Sequence, residues 1–183
     1  MYFERVNLTW AEQHSLHTAD CLDAFEGASY FAVLHLRSSF YQVPLAEEDR
    51  DKTAFITRRG QWRFHSLPMG LSNSPGTFQR LMDLVLRGLT WQSVLIYIDD
   101  IIVYAHSHAE LQLRLAEVFE WLLIANFKLK PPQGQLFQSS IKFLGHHVSA
   151  EGVAMDDSKV AAITEWPAPL DVSETRTDRK SVV

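Results

Sequence analysis

The chain has 183 residues, 46% of them hydrophobic and 21% charged, with a formal net charge of -5. That length and apolar share allow one sizeable core and exclude a fibrous or wholly disordered protein. Its one cysteine, Cys21, excludes an internal disulfide and fits a reducing, intracellular setting, and the longest apolar run is interrupted by two aspartates, so no segment spans a bilayer.

In chain order, residues 1–19 show no clear periodicity. Residues 20–25 read as a short helix stopped by Gly27, and residues 30–36 as a buried strand. Residues 38–41 break that strand, and Pro44 bars a regular central strand just beyond. Residues 53–57 and 62–66 predict two strands joined across 58–61, with Gly60 supplying the turn. A clear helix opens with Ser74 as N-cap and Pro75 at its first position, and buries a stripe of Phe78, Leu81, Met82, Val85, Leu86 and Leu89. Further on, Ser107 and Glu110 form a capping-box pattern that starts a second helix, with Leu111, Leu115, Val118, Phe119 and Leu122 facing inward.

Residues 127–129 predict a strand stopped by Pro131 and Pro132. Two more strands, 136–137 and 141–148, precede a turn at Glu151 and Gly152. Asp156 or Asp157 can cap a last helix that ends at Trp166 before Pro167 and Pro169. Helices separated by antiparallel strand pairs give an α+β fold, an antiparallel sheet with its helices on one face.

Between the two long helices runs V-L-I-Y-I-D-D-I-I-V-Y, residues 94–104, in which Asp99 and Asp100 interrupt an otherwise apolar stretch. Bare charge is costly inside such a run, so the chain is expected to reverse at the pair and place both aspartates on a tight hairpin. Adjacent carboxylates repel, and either full solvation or a divalent cation relieves them; their hard oxygens favour Mg²⁺ or Mn²⁺. On this stretch alone, a solvated turn and a metal site both remain open.

Tyr97-Ile98-Asp99-Asp100 resembles the Y-x-D-D box of reverse transcriptases, and further blocks follow that family's order, nearest to Gypsy-type long-terminal-repeat retrotransposon polyproteins. Leu34-His35-Leu36-Arg37-Ser38-Ser39-Phe40-Tyr41-Gln42-Val43 resembles L-D-L-R-S-G-Y-x-Q-I. The stretch L-P-M-G-L-S-N-S-P-G-T-F-Q, residues 67–79, resembles M-P-F-G-L-x-N-A-P-x-x-F-Q, with Met69 in place of phenylalanine. Phe143-Leu144-Gly145-His146 resembles the F-L-G-H element of the primer grip.

The resemblance implies a polymerase palm with part of the fingers: a poorly defined segment at 1–19, the reverse transcriptase palm at 20–169 with a finger hairpin at about 45–66, and a disordered tail at 170–183. It implies RNA-directed DNA synthesis with two Mg²⁺ or Mn²⁺ ions, which two-metal chemistry places about 3.5–4 Å apart. Asp99 and Asp100 would be the catalytic metal ligands, and His35 stands where the family has its third aspartate. Arg37, Ser38, Ser39, Phe40, Met69 and Gly70 would border the nucleotide, with Phe40 as the aromatic under the sugar. Tyr97, Phe143, Leu144 and Gly145 would border primer and template. The implied partners are an RNA or DNA template with primer and deoxynucleoside triphosphates, with further fingers, thumb and RNase H elsewhere in a parent polyprotein and no membrane.

Imidazole is a poor ligand for Mg²⁺, so His35 implies an impaired or inactive copy. A non-catalytic nucleic-acid-binding or interaction domain that keeps the palm fold is the alternative, with Phe40, Tyr41 and Trp62 as stacking candidates. The acidic balance weighs against tight autonomous binding, since phosphate neutralisation depends on Lys and Arg. Arg37, Lys52, Arg58, Arg59, Arg63 and Arg80 are candidate phosphate contacts. The pairs His106/His108 and His146/His147 lack the cysteine or clustered carboxylates that a zinc site needs.

Overall fold

The computed structural model describes residues 18–155. The expected helix after Asp156 and the tail beyond it lie outside the described residues, as do residues 1–17. The main sheet has four antiparallel strands in the order β4-β5-β1-β6, with β1 at Tyr30–His35, β4 at Val94–Tyr97, β5 at Asp100–Ala105 and β6 at Gln135–Gln138. Two-residue alternation sorts its side chains. Ala32, Leu34, Val94, Ile96, Ile101 and Val103 point into one cluster, whereas Phe31, Leu95, Ile102 and Tyr104 point into another.

The first face carries the two long helices, α3 (Ser74–Val85) and α4 (His108–Ile124), through Phe78, Met82, Leu111, Leu115, Val118 and Leu122. The opposite face carries the short α1 (Thr18–Asp23) and a smaller three-stranded sheet within residues 140–155, which contribute Cys21, Ile141, Phe143 and Val148. Burial on both faces explains why β4 and β5 read as continuous apolar runs rather than as an alternating pattern. The α+β architecture with its long helices on one face matches the expected fold class. Among the described residues, no helix is long and apolar enough to cross a membrane.

Several local expectations shift. Helix α3 takes Asn73 as N-cap and Ser74 as its first residue, because the buried Ser74 hydroxyl donates to the Pro68 carbonyl at 2.9 Å instead of capping the helix. The helix ends at Val85, although Leu86 stays fully buried just beyond it. The N-cap of α4 forms as expected, with Ser107 Oγ accepting the Glu110 N–H at 3.2 Å, while the Glu110 carboxylate reaches one residue beyond the N-cap, to the His106 N–H at 2.9 Å. Phe119 does not face inward. It is 38% exposed, because one residue on from Val118 turns the side chain by about 100° away from the buried stripe.

The finger hairpin is shorter than the sequence suggests, with β2 at Phe55–Thr57, β3 at Gly60–Trp62 and a loop of Arg58 and Arg59. Beyond Trp62 the chain pairs elsewhere. Phe64 N–H donates to Thr53 Oγ1 at 3.0 Å, and residues 65–67 exchange backbone bonds with Val43 and Leu45. A four-residue helix, α2 (Glu47–Arg50), lies between them. Residues 127–129 form a single bridge, Leu36 to Leu129, rather than a strand, with a 3₁₀ turn at Pro131–Gln133 cutting it off. The expected strand at 141–148 is two strands, β7 (Ser140–Phe143) and β8 (His146–Ser149), reversed by Leu144 (φ 48) and Gly145 (φ 78). Both loop residues take the positive φ that a tight hairpin requires. Strand β9 (Gly152–Met155) completes the small sheet.

Candidate active site

The aspartate pair sits where β4 turns into β5. Tyr97 pairs directly with Asp100, so Ile98 and Asp99 form the loop and Asp100 is already the first residue of β5. Ile98 adopts φ 54, a left-handed conformation that a β-branched side chain resists. Gln79 of α3 holds the turn there: its Oε1 accepts the Ile98 N–H and its Nε2 donates to the Ile96 carbonyl, both at 3.1 Å. The same Nε2 lies 3.3 Å from Asp83 Oδ1.

Because β1 runs antiparallel beside β5, His35 falls opposite Asp100. His35 Nδ1 lies 2.6 Å from Asp100 Oδ1, with the two side chains 28% and 39% exposed. Ser39, in the 3₁₀ turn Ser39–Gln42 that follows β1, is fully buried and donates its hydroxyl to Asp99 Oδ1 at 2.7 Å. Each carboxylate therefore accepts a bond from the segment that begins at the end of β1. Burial pushes the Asp100 carboxyl above the usual carboxylate range; His35 opposes that rise as a charge and as a bond donor, and Asp99 adds to it.

Gln42 fastens the same segment from behind. Its Nε2 donates to the carbonyls of Arg37 (2.7 Å) and Lys128 (3.0 Å), and its Oε1 accepts the Lys128 N–H at 2.7 Å. Arg37 and Ser38 are exposed beside it, with Ser38 at φ 49. Phe40 turns inward: it is 9% exposed and packs against Phe78 at a ring distance of 5.2 Å. Met69 is 56% exposed, and Gly70 sits at φ 91 with open space where a side chain would be.

On the other side of the hairpin, Tyr97 meets Phe143 edge to face at 6.0 Å. Phe143 is buried, whereas Leu144 and Gly145 form the β7-β8 turn. The structure thus gathers His35, Ser39, Asp99 and Asp100 at one point and joins Tyr97 to Phe143. Of the candidate phosphate contacts, Arg63 is paired with Asp51 (2.5 Å) and Glu47 (3.2 Å), and Lys52 with Asp49 (2.5 Å). Arg37, Arg58, Arg59 and Arg80 are exposed.

Gln42 and Gln79 escape a reading by residue chemistry because a neutral amide gives no signal until its distant partners are known. The donor set does not suit a pair of hard cations. One oxygen of each aspartate is engaged by a hydrogen bond, and the third position offers an imidazole with Nδ1 turned to Asp100. Among the described residues, no group of three or more His, Cys, Asp or Glu side chains is arranged to hold a metal ion.

Residues 3–148 match the family model for reverse transcriptase (RNA-dependent DNA polymerase). The chain is 38% identical over 157 residues to the retrovirus-related Pol polyprotein from transposon 412 of Drosophila melanogaster, covering 86% of this chain and 13% of that protein. It is 36% identical over 149 residues to the Pol polyprotein from transposon gypsy of the same fly, covering 81% and 14%. The chain thus spans about an eighth to a seventh of these relatives' length. Two solved structures share the fold. The foamy viral protease-reverse transcriptase in complex with dsDNA has a TM-score of 0.79 at 23% identity, covering 94% of this chain and 35% of that one. The same enzyme in complex with an RNA/DNA hybrid has a TM-score of 0.76 at 22% identity, covering 90% and 22%. With the family model matching most of the chain and fly transposon polyproteins at 36–38% identity, the chain belongs to the reverse transcriptase family as a domain of the gypsy type.

Proposed function

We propose that this domain is the palm, with part of the fingers, of an intracellular RNA-directed DNA polymerase, and that its polymerising step is impaired at position 35. The observation that carries the proposal is the His35 Nδ1 to Asp100 Oδ1 contact of 2.6 Å, at the place where the resembled motif has a metal-binding aspartate. In intact relatives, two Mg²⁺ or Mn²⁺ ions would stabilise the entering and leaving oxygens of nucleotidyl transfer. A third carboxylate replaced by imidazole, and a second one tied to that imidazole, removes two of the ligands such a centre uses.

The remaining surface supports binding of a primer, an RNA or DNA template and a deoxynucleoside triphosphate. The exposed Met69 and Gly70 precede the N-terminus of α3, where the positive end of the helix dipole favours a phosphate. Tyr97, braced edge to face by the buried Phe143, would border the primer end. Phe40, held by its packing on Phe78, would border the sugar from below. Further fingers, the thumb and RNase H belong to a parent polyprotein.

Primer extension on an RNA template tests this reading, with the segment grafted between the fingers and thumb of an active relative. The native graft is expected to be silent in Mg²⁺ and Mn²⁺. His35→Asp combined with Ser39→Gly is expected to extend the primer, and adding Asp99→Asn to abolish that gain. Extension by the native graft would overturn the impairment. Well-folded revertants that stay silent while still binding primer-template would favour a non-catalytic nucleic-acid-binding domain.

A further inference from the structure

The two carboxylates of the hairpin are each held by one donor, and the two donors share an origin. His35 and Ser39 lie four residues apart on the segment that leaves β1, and they bond Asp100 at 2.6 Å and Asp99 at 2.7 Å. Both are positions where the chain departs from the resembled motif, which has aspartate and glycine there. A glycine could not make the second bond at all.

We infer that His35 and Ser39 together form a lock that takes the place of divalent cations at the hairpin, so that the carboxylates are held without metal and a single reversion at His35 does not reopen the site. The inference rests on the hairpin being a reverse transcriptase carboxylate pair.

Adjacent carboxylates need a counter-charge, solvent or donors; here the donors come from the protein. Hydrogen bonds to a carboxylate at these distances are of the strong, charge-assisted kind. Ser39 is only 1% exposed, so a cation that drew Asp99 away would leave a buried hydroxyl without a partner. Replacing His35 by aspartate supplies a missing ligand, but it leaves Asp99 still tied to Ser39. Ser39→Gly is tolerable for the backbone, because the left-handed residue of this turn is its neighbour Ser38.

Mn²⁺ binding to the full chain, followed by the electron paramagnetic resonance signal of the free ion with Mg²⁺ as competitor, tests the lock without requiring polymerisation. The native chain, His35→Asp, Ser39→Gly and the double variant are compared, with Asp99→Asn added to the double variant as a control. The expected result is weak binding by the native chain and both single variants. The double variant should bind at least about tenfold more tightly than His35→Asp, as is usual when groups around a metal ligand are changed, and Asp99→Asn should remove the gain. If circular dichroism shows Ser39→Gly to be misfolded, Ser39→Ala, which also removes the hydroxyl, decides in its place. Equal binding by His35→Asp and the double variant would overturn the role of Ser39, and tight binding by the native chain would overturn the lock as a whole. A double variant that binds Mn²⁺ but never extends a primer in the graft keeps the lock and removes the polymerase reading.

Discussion

His35 and Asp99 pull the Asp100 carboxyl in opposite directions, and that opposition is measurable. Burial raises the Asp100 pKa, His35 lowers it and Asp99 raises it. His35→Ala should therefore move the Asp100 titration further up, and Asp99→Asn should move it down, read from carboxyl carbon shifts by NMR. The sign for stability follows. A carboxyl whose folded pKa lies above its unfolded value contributes stability that is present at low pH and lost as pH rises through the folded pKa. His35→Ala should thus widen the stability difference between acidic and neutral solution, which urea unfolding at pH 4 and pH 7 would register. A variant with an unchanged Asp100 titration would mean that the 2.6 Å contact carries no charge interaction in solution.

Among the elements, the hairpin depends on α3 more than on its own sequence. Ile98 holds an unfavourable φ because Gln79 bonds the backbone on both sides of it. Gln79→Ala should destabilise the chain by about 1–3 kcal/mol through the unpaired backbone groups, and amide exchange at Ile98 should speed up more than exchange in α4. Uniform acceleration across the chain would mean that the glutamine serves general packing only.

This dependence also marks what the sequence makes legible. The reversal near Asp99 and Asp100, the buried β1 strand and the Ser107 N-cap follow from periodicity and local chemistry, and all three appear in the fold. The bonds from Ser39, Gln42 and Gln79 join residues 60, 86 and 19 positions apart, so local patterning is blind to them. The same holds for Ser74, whose hydroxyl is taken by Pro68, and for 141–148, where two positive-φ residues in an apolar run conceal a hairpin.

For the whole molecule, the sheet is a wall between two apolar clusters, and α3 is keyed into the larger one. Phe78 is fully buried and meets both Phe40 and Phe127. Phe78→Ala should cost about 3–5 kcal/mol, seen as a lower urea midpoint, because the surrounding rings cannot close the space. A loss below about 1 kcal/mol would show that the cluster repacks freely, contrary to the cost expected of a large buried cavity. Neither cluster includes Asp99, Asp100 or His35. The acid and imidazole groups of the hairpin therefore stand apart from the packing that holds the fold, so a gene copy can fall silent at its carboxylates and still yield a protein that folds. Detection of such a protein in a cell would report on the survival of its shape and say nothing about transposition.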